Sequence, residues 1–374
     1  MSEWNVCVGR GMNRRDFLKA LGLLAAGLAP HVADAAAASA AELAKGSQEL
    51  GPILTDVEIR TSHLVGTRKA AFFIDDVIFI LRDLTRQRPK SMFDHPFLGH
   101  LKECHDRYGL KMQLNLFYRT DFAHGLDEFS LADMTDAYRE EWQSSRDWIR
   151  FSFHSLQEFP DYPFVNISYE DMGKLYDRIF AEVKRFAGDG MFAKAAVPHW
   201  LPVSKAGCRA LADRGVKVMS STHGPRYAYS GDPSTLPYGH AARLEDRRTP
   251  EAALYWRGMG DDAINSSICS YNHVSAEQAA MTLGTFKSVY DRQTGMQFKK
   301  FVVMPMLNLQ KLKDIEKTAE GQLDKEFFLF GTHEQRYFPD YYGYDPVSMD
   351  KTRTAVRFAH EHGYEFIFIE DAVD

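Results

Sequence analysis

Ala71-Phe72-Phe73-Ile74-Asp75-Asp76 decides the fold, because it is an apolar, β-prone run that ends in two carboxylates. Further along, a second apolar run from Trp148 to Phe153 ends at His154. Such runs are typical of buried parallel strands, and α/β enzymes place their chemistry at strand ends, beside the loops. An aspartate pair and a histidine at two such ends can begin a metal site that keeps a spare carboxylate as a base.

From Ala71 onward, strand-like runs alternate with helical patterns, which predicts βα units, a parallel sheet and right-handed crossovers. Polar residues lie at the ends of many strands and are not confined to one topological switch point. The pattern therefore favours an α/β barrel, distorted or incomplete, over a doubly wound sheet. The predicted strands are 71–80, 111–118, 148–154, 194–198, 216–221, 265–271, 301–306, 327–332 and 365–369. The predicted helices are 95–108, 131–145, 168–187, 204–214, 275–292 and 347–362, and a long loop is predicted over 224–262.

The N-terminus resembles an export signal. Asn13-Arg14-Arg15-Asp16-Phe17-Leu18-Lys19 matches the twin-arginine pattern, and an Ala-x-Ala-like cleavage site lies at 33–35. The mature protein is therefore expected in the periplasm or outside the cell. The predicted organisation is a twin-arginine signal peptide over 1–35, a linker over 36–69 and one domain over 70–374.

The composition of the chain limits the kinds of partner that we expect. The chain has 374 residues, of which 45% are hydrophobic, and this suffices for a large core. Its net charge is -6 with no basic stripe, so we expect no nucleic-acid partner. The apolar segment 20–29 is too short to span a bilayer, so we expect no membrane span in the mature protein. Beyond the signal lie Cys104, Cys208 and Cys269, whose wide spacing disfavours a disulfide scaffold and a thiolate zinc site.

Glu158 lies four residues after His154, so a turn of helix would bring both to one face. This pair could bind a divalent metal together with Asp76. Alternatively, Glu158 could orient the His154 imidazole by a hydrogen bond without binding the metal. We expect the ion to be divalent, with zinc the first choice. Three more histidines follow strand-like runs and could supply a further ligand, and the sequence does not rank them: His199, His223 and His273.

His333 ends the apolar run that begins at Phe327, and Glu334 follows it. A histidine exposed at the mouth of a sheet could donate a proton to a leaving group. The segment 336–344 is rich in tyrosine, which suits contact with the CH faces of a sugar and hydrogen bonding to its hydroxyls.

These residues, in this order, resemble the motifs of the polysaccharide deacetylase superfamily. Phe-x-x-Asp-Asp over 72–76 is similar to its first motif, and Phe153-His154-Ser155 with Glu158 is similar to its second. The third would fall at Ala196-Val197-Pro198-His199-Trp200, and Leu329 to His333 is similar to the closing motif. Glu158 stands where the family has a second metal histidine, and Ala196 where it has an arginine.

The resemblance implies a distorted (β/α)7-type barrel over roughly residues 70–370 and a metal-dependent esterase that removes acetyl groups from a glycan. Asp75 would be the general base and Asp76 a metal ligand, with His154 and Glu158 as further ligands and His333 as the acid. Two alternatives stay open. One is a glycosidase with paired carboxylates drawn from Asp75, Glu158 and Glu334. The other is a non-catalytic glycan-binding protein on a degenerate barrel.

Overall fold

The computed structural model describes residues 53–120, 128–158, 163–164, 167–221, 273–301, 305–341 and 343–374, all of which fall in the unit Leu50–Asp374. The predicted signal peptide, His223, the predicted loop 224–262 and the predicted strand 265–271 lie outside the described residues. No helix in the described ranges is long and apolar enough to cross a membrane.

The first sheet is parallel and is built around the strand that carries the two aspartates. That strand, β2, pairs with β3 on one side and with β9 on the other, while β4 continues the sheet beyond β3 and β10 pairs with the start of β2. Nearly every residue of these long strands is buried, as the continuous apolar runs predict. The strands are β2 (Lys69–Val77), β3 (Met112–Phe117), β4 (Ile149–Ser155), β9 (Phe327–His333) and β10 (Glu365–Phe366).

The second sheet has shorter strands and mixed direction, in the order β1-β7-β8-β6-β5. Strands β5, β6 and β8 are parallel, whereas β7 runs antiparallel to both β1 and β8. The two sheets adjoin at β4, where Phe151 exchanges backbone hydrogen bonds with Met191 and Ala193 just before β5. The strands are β1 (Val57–Thr61), β5 (Ala195–Ala196), β6 (Val218–Ser220), β7 (Lys287–Asp291) and β8 (Gln297–Lys299).

Helices follow most strands and begin or end at residues with clear capping roles. The helix α4 begins after Ser168, whose hydroxyl accepts from the N–H of Asp171, and α2 ends at Gly109 in the left-handed conformation. Predicted helices at 95–108, 168–187, 204–214 and 347–362 are confirmed with small shifts in their ends. The helices are α1 (Phe79–Gln87), α2 (Pro96–Tyr108), α3 (Arg139–Ser144), α4 (Tyr169–Phe186), α5 (Lys205–Ala212), α6 (Ala276–Thr282), α7 (Ile315–Glu320) and α8 (Ser348–Glu361).

The fold is thus mixed α/β with a parallel sheet, as predicted, but the second sheet is mixed and the expected barrel is not closed by any strand pairing among the described residues. One physical reason is the hairpin of β7 and β8. Asp291 accepts hydrogen bonds from Thr294, and Gly295 takes a positive φ of 76°, so the chain reverses tightly and enters β8 antiparallel. A barrel of βα units would need a helical crossover at this point.

Three predicted segments differ from the structure. The predicted helix 131–145 is α-helical only at Arg139–Ser144, after a single 3-10 turn at Leu131–Asp133. The predicted helix 275–292 ends early: α6 stops at Thr282, and Lys287–Asp291 is strand β7. Within 36–69, the stretch predicted as a linker, Val57–Thr61 forms β1 along β7. Its sequence, VEIRT, does alternate apolar and polar residues as a strand does, but the run is only five residues long and is half-buried to exposed along its length.

Candidate metal centre

Asp75 and Asp76 both face one cavity because β2 contains a bulge at this point. The register between β2 and β3 shifts between Ile74 and Val77, so β2 holds one residue more than its partner. Asp76 takes a positive φ of 63°, in the left-handed region that a residue other than glycine rarely adopts. A bulge re-aims side chains that would otherwise alternate between faces. A strained backbone of this kind costs about 1–3 kcal/mol and is typically kept where function requires it.

His154 lies at a second bulge, in β4. Leu116 of β3 pairs with Phe153, and the next residue, Phe117, pairs with Ser155, so His154 is the extra residue. Its imidazole is buried and points toward Asp76. Both side chains therefore reach the centre through local irregularities that the apolar pattern does not encode.

His199 completes a group of three with Asp76 and His154, and all three are buried. His199 follows β5, and its N–H donates to the carbonyl of His154 at 3.1 Å. Nε2 of His154 lies 3.0 Å from Oδ1 of Asp76 and 3.2 Å from Nδ1 of His199. The third edge, from Nδ1 of His199 to Oδ1 of Asp76, is 3.6 Å.

These three edges fit a common cation. Bonds of about 2.0–2.1 Å in a tetrahedral arrangement place neighbouring ligand atoms about 3.3 Å apart, and the observed edges run from 3.0 to 3.6 Å. The donor set is one carboxylate and two imidazoles, which suits zinc and related divalent ions.

Backbone carbonyls fix both imidazoles so that an unprotonated nitrogen can face the centre. Nδ1 of His154 contacts the carbonyl of Val197, and Nε2 of His199 lies 2.8 Å from the carbonyl of Glu158. A carbonyl only accepts, so each of these nitrogens carries the proton. The other nitrogens, Nε2 of His154 and Nδ1 of His199, face Asp76. Nε2 of His154 donates to Oδ1 of Asp76 when it is protonated, and both nitrogens would offer lone pairs to a cation when deprotonated. Such outer hydrogen bonds are usual for histidines that bind metals.

The charges of the group depend on one another. Burial opposes ionisation of Asp76, but the hydrogen bond from His154 and the nearby imidazoles outweigh it and hold the pKa of Asp76 well below its usual range. Burial also opposes the charged form of His154, yet the neighbouring charges of Asp75 and Asp76 raise its pKa. Burial lowers the pKa of His199 to about 3, so this imidazole is neutral at neutral pH.

Glu158, predicted as a ligand, lines the cavity, but its carboxylate is not part of the group of three. Its Oε2 accepts from Nε2 of Gln335 at 2.9 Å, and the same amide donates to Oδ2 of Asp76 at 2.8 Å. Gln335 therefore holds both carboxylates, and Glu158 contacts the centre mainly through the carbonyl that binds His199. His199 stands where the sequence left the further ligand open.

Asp75 lies beside this group. Its Oδ1 accepts from Nδ2 of Asn115 at 2.6 Å and lies 3.7 Å from Nδ1 of His154. Gln113 in turn donates to Oδ1 of Asn115 at 2.7 Å. Burial raises the pKa of the Asp75 carboxyl, against the opposing charge of His154. A raised pKa makes a carboxylate a better proton acceptor.

His333 ends β9 directly opposite Asp75 in the strand register. Nδ1 of His333 lies 3.1 Å from Oδ1 of Asn308, which can only accept and therefore fixes a proton on Nδ1. Nε2 then faces the centre, 3.9 Å from Oδ2 of Asp76. About a third of the side chain is exposed, so His333 is open to a substrate.

The group opens into a cavity of about 770 Å³, which is large enough for one or two sugar rings. Asp75, Asp76 and His333 lie on its wall, and much of the remaining wall is apolar. Gly331 packs against two residues of this wall. A Cβ at that position would lie 2.3 Å from the ring of Phe73 and 2.7 Å from the sulfur of Met306.

Two residues named by the sequence lie elsewhere. The carboxylate of Glu334 is buried at the start of α1, where it accepts from the N–H groups of Ile78, Phe79 and Ile80 at 2.7, 2.7 and 2.9 Å. It caps the helix and does not line the cavity. His273 is fully buried against Val203 and Phe298, away from the group of three.

Sequence reasoning missed Asn115, Asn308 and Gln335, which hold the ionisable groups in place. A signal existed for Asn115, because Gln113 and Asn115 are amides at alternate positions of an otherwise apolar strand. Two inward amides on one buried strand indicate a polar network within the sheet.

No protein-family model matches the chain, and no curated protein matches it closely enough to count as a relative. Among solved structures, it is similar to the 4-alpha-glucanotransferase of Thermococcus litoralis, with a TM-score of 0.43 and 8% identity. The match covers 82% of this chain and 39% of that enzyme, so this chain spans about two fifths of its length.

Proposed function

We propose that this protein is a metal-dependent hydrolase that removes acetyl groups from a glycan. The observation that carries the proposal is the convergence of Asp76, His154 and His199, with edges that suit one divalent ion and imidazoles oriented by carbonyls. The substrate class follows from the order of motifs shared with polysaccharide deacetylases. Export by the twin-arginine route is part of the same proposal and follows from residues 13–19.

A divalent ion held by the three residues would supply Lewis acidity toward the acetyl carbonyl and would lower the pKa of a water. Asp75 accepts the proton of the attacking water, because its carboxyl is buried, has a raised pKa and is oriented by Asn115. His333 donates a proton from Nε2 to the departing oxygen or nitrogen, while Asn308 holds its ring. The apolar wall of the cavity limits the access of bulk water.

The glycosidase alternative has two candidate carboxylates in this structure instead of three, because the Glu334 carboxylate binds the N–H groups at the start of α1. Asp75 and Glu158 both line the cavity and remain the pair on which that alternative depends. The non-catalytic alternative predicts glycan binding that does not respond to chelators.

Metal content and acetate release test the proposal together. We expect the purified protein to hold about one divalent ion per chain and to release acetate from acetylated oligosaccharides, and a chelator should abolish this release. Replacement of a ligand in Asp76→Ala, His154→Ala or His199→Ala should weaken metal binding by more than about 100-fold, since even an outer-shell residue typically contributes 10–100-fold.

Asp75→Asn is the matched control, because Asp75 is adjacent to the ligands but is assigned to proton transfer. It should keep the metal and lose the activity. Full metal content in all three ligand variants, with folding verified by circular dichroism, would exclude the metal centre. Release of reducing sugar without acetate would favour the glycosidase.

A further inference from the structure

Two cationic side chains, Lys300 and Arg336, line the same cavity as the candidate metal centre. They come from different parts of the chain, one directly after β8 and the other directly after β9. Neither has an assigned role in the hydrolysis described above. Their surroundings indicate what they could bind.

Lys300 points into the cavity because side chains alternate along a strand. Its neighbour Lys299 faces the opposite side, where its ammonium donates to the carbonyls of Thr282, Thr285 and Lys287. The Lys300 ammonium makes no ion pair with any carboxylate in the described part of the chain, and burial lowers its pKa. A half-buried cation with no counter-charge is costly unless a ligand supplies one.

Arg336 is also half-buried and uses only part of its guanidinium. Its Nη1 donates to the carbonyl of Gly343 at 2.9 Å, which anchors the group to the loop after β9. Within the described ranges, no carboxylate forms a salt bridge with it; the nearby Asp345 senses its charge but is paired with Lys351 at 2.7 Å. Guanidinium presents several donors in a fixed plane and binds carboxylate or phosphate in a bidentate way.

The acids of the cavity are occupied by other partners and do not neutralise these cations. Asp76 faces His154, Asp75 accepts from Asn115, and Glu158 accepts from Gln335. If the ion of the proposed function is bound, the wall carries three carboxylates against a divalent ion, one lysine and one arginine. The wall formed by the described residues is then positive by one charge, and neither cation belongs to the metal centre.

We propose that the cavity selects an anionic glycan, one whose sugar carries a carboxylate or a comparable acidic group that Lys300 and Arg336 bind. The inference rests on the proposed function for the reaction. Binding of the acidic group by Lys300 and Arg336 can be measured without turnover. Uronic acid sugars carry this group on the ring, whereas sulfated or phosphorylated sugars carry it as a substituent. The experiment separates these sources.

The probes are acetylated oligosaccharides in matched pairs. Oligogalacturonate and oligomannuronate are compared with their methyl esters, which remove the charge and keep the ring, and a sulfated oligosaccharide represents the other source. Binding to Asp75→Asn is measured by calorimetry in the metal-loaded protein, and acetate release is measured in the unaltered protein. We expect at least one charged oligosaccharide to bind and react about 10-fold better than its neutral counterpart, with an advantage that falls as salt rises.

Lys300→Met and Arg336→Met should each raise the KM for the charged oligosaccharide by on the order of 10-fold, with little change in kcat. The reason is that each cation would bind the anionic group equally well in the ground state and in the transition state. Lys217→Met is the control. Lys217 is exposed and precedes β6 at the end of the strand opposite to Ser220, which lines the cavity. It should leave binding and turnover unchanged.

The outcomes distinguish this inference from the proposed function. Charge-selective binding without acetate release would support the anionic site and contradict the hydrolase. Acetate release with equal or better use of the methyl esters would overturn the anionic site alone. Failure of all charged probes to bind, or binding unaffected by both methionine variants, would also overturn it.

Discussion

The two sheets of this protein contribute differently to the cavity. The first sheet has long, buried, parallel strands, and the ends of β2, β4 and β9 supply Asp75, Asp76, His154 and His333. The second sheet has strands of two to five residues and supplies His199 after β5 and Lys300 after β8. Under the proposed function, the first sheet supplies both proton-transfer residues, two of the three ion ligands and Arg336, whereas the second sheet supplies the third ligand and Lys300. Four predictions test this comparison, from the largest expected effect to the smallest.

Asp75→Asn should lower kcat by about 10²–10⁴-fold, the usual contribution of a positioned general base. An amide cannot accept the proton, but it keeps the shape of the side chain and the contact with Asn115. The measurement is steady-state acetate release at saturating substrate, with metal content determined on the same sample. A variant that keeps more than half of the activity would show that Asp75 is not the general base.

Glu334→Ala should lower the free energy of unfolding by about 3 kcal/mol or more, because three buried N–H groups at the start of α1 lose their acceptor. Glu334→Gln, which keeps one acceptor oxygen, should lose less. The measurement is urea unfolding followed by circular dichroism. Glu320→Ala replaces an exposed glutamate at the end of α7 and should change stability by less than about 0.5 kcal/mol. Equal losses at both positions would show that Glu334 is not a helix cap.

His273 should make the second sheet sensitive to acid. Burial lowers its pKa to about 4, whereas the unfolded chain binds a proton near pH 6.5. Because the unfolded state then binds more protons, stability falls as the pH drops from 6.5 toward 4, by about 3 kcal/mol in total. His273→Gln should lack this component, so unfolding of both proteins is compared across the same pH range. His360→Gln, an exposed substitution on α8, is the control. Parallel stability curves for the parent and His273→Gln would rule the effect out.

Asn308→Ala should lower kcat about 10-fold with KM nearly unchanged, because His333 loses the acceptor that orients its ring. A value near 10-fold corresponds to loss of one net hydrogen bond. Asn308→Asp keeps an acceptor at the same position and should recover most of the rate. Lys311→Ala, an exposed neighbour, is the control. A rise in KM alone would assign Asn308 to substrate binding rather than to the positioning of His333.

Much of the first sheet could be predicted from the sequence, because its strands are continuous apolar runs that end in polar residues. The positions of Asp75, Asp76, His154 and His333 at strand ends follow from that pattern. The second sheet could not be predicted as well. Its strands are short, β1 is exposed along much of its length, and the helical pattern that begins at residue 275 continues through the segment of β7.

The choice among the histidines could not be predicted for a different reason. His199, His223 and His273 each follow an apolar stretch, and sequence spacing does not say which stretches converge. His199 converges because β5 lies beside β4, a contact that depends on backbone hydrogen bonds between the two sheets. The bulges that turn Asp76 and His154 inward are likewise properties of strand pairing and not of residue type.

Gly331 packs against two residues that line the cavity. A single methyl group there would press against the ring of Phe73 and the sulfur of Met306, so the wall would have to shift at this point. The shape of the cavity therefore depends on a residue that does not itself line it. Under the proposed function, substrate preference could diverge among descendants of this chain through Gly331 while all the ionisable groups stay unchanged.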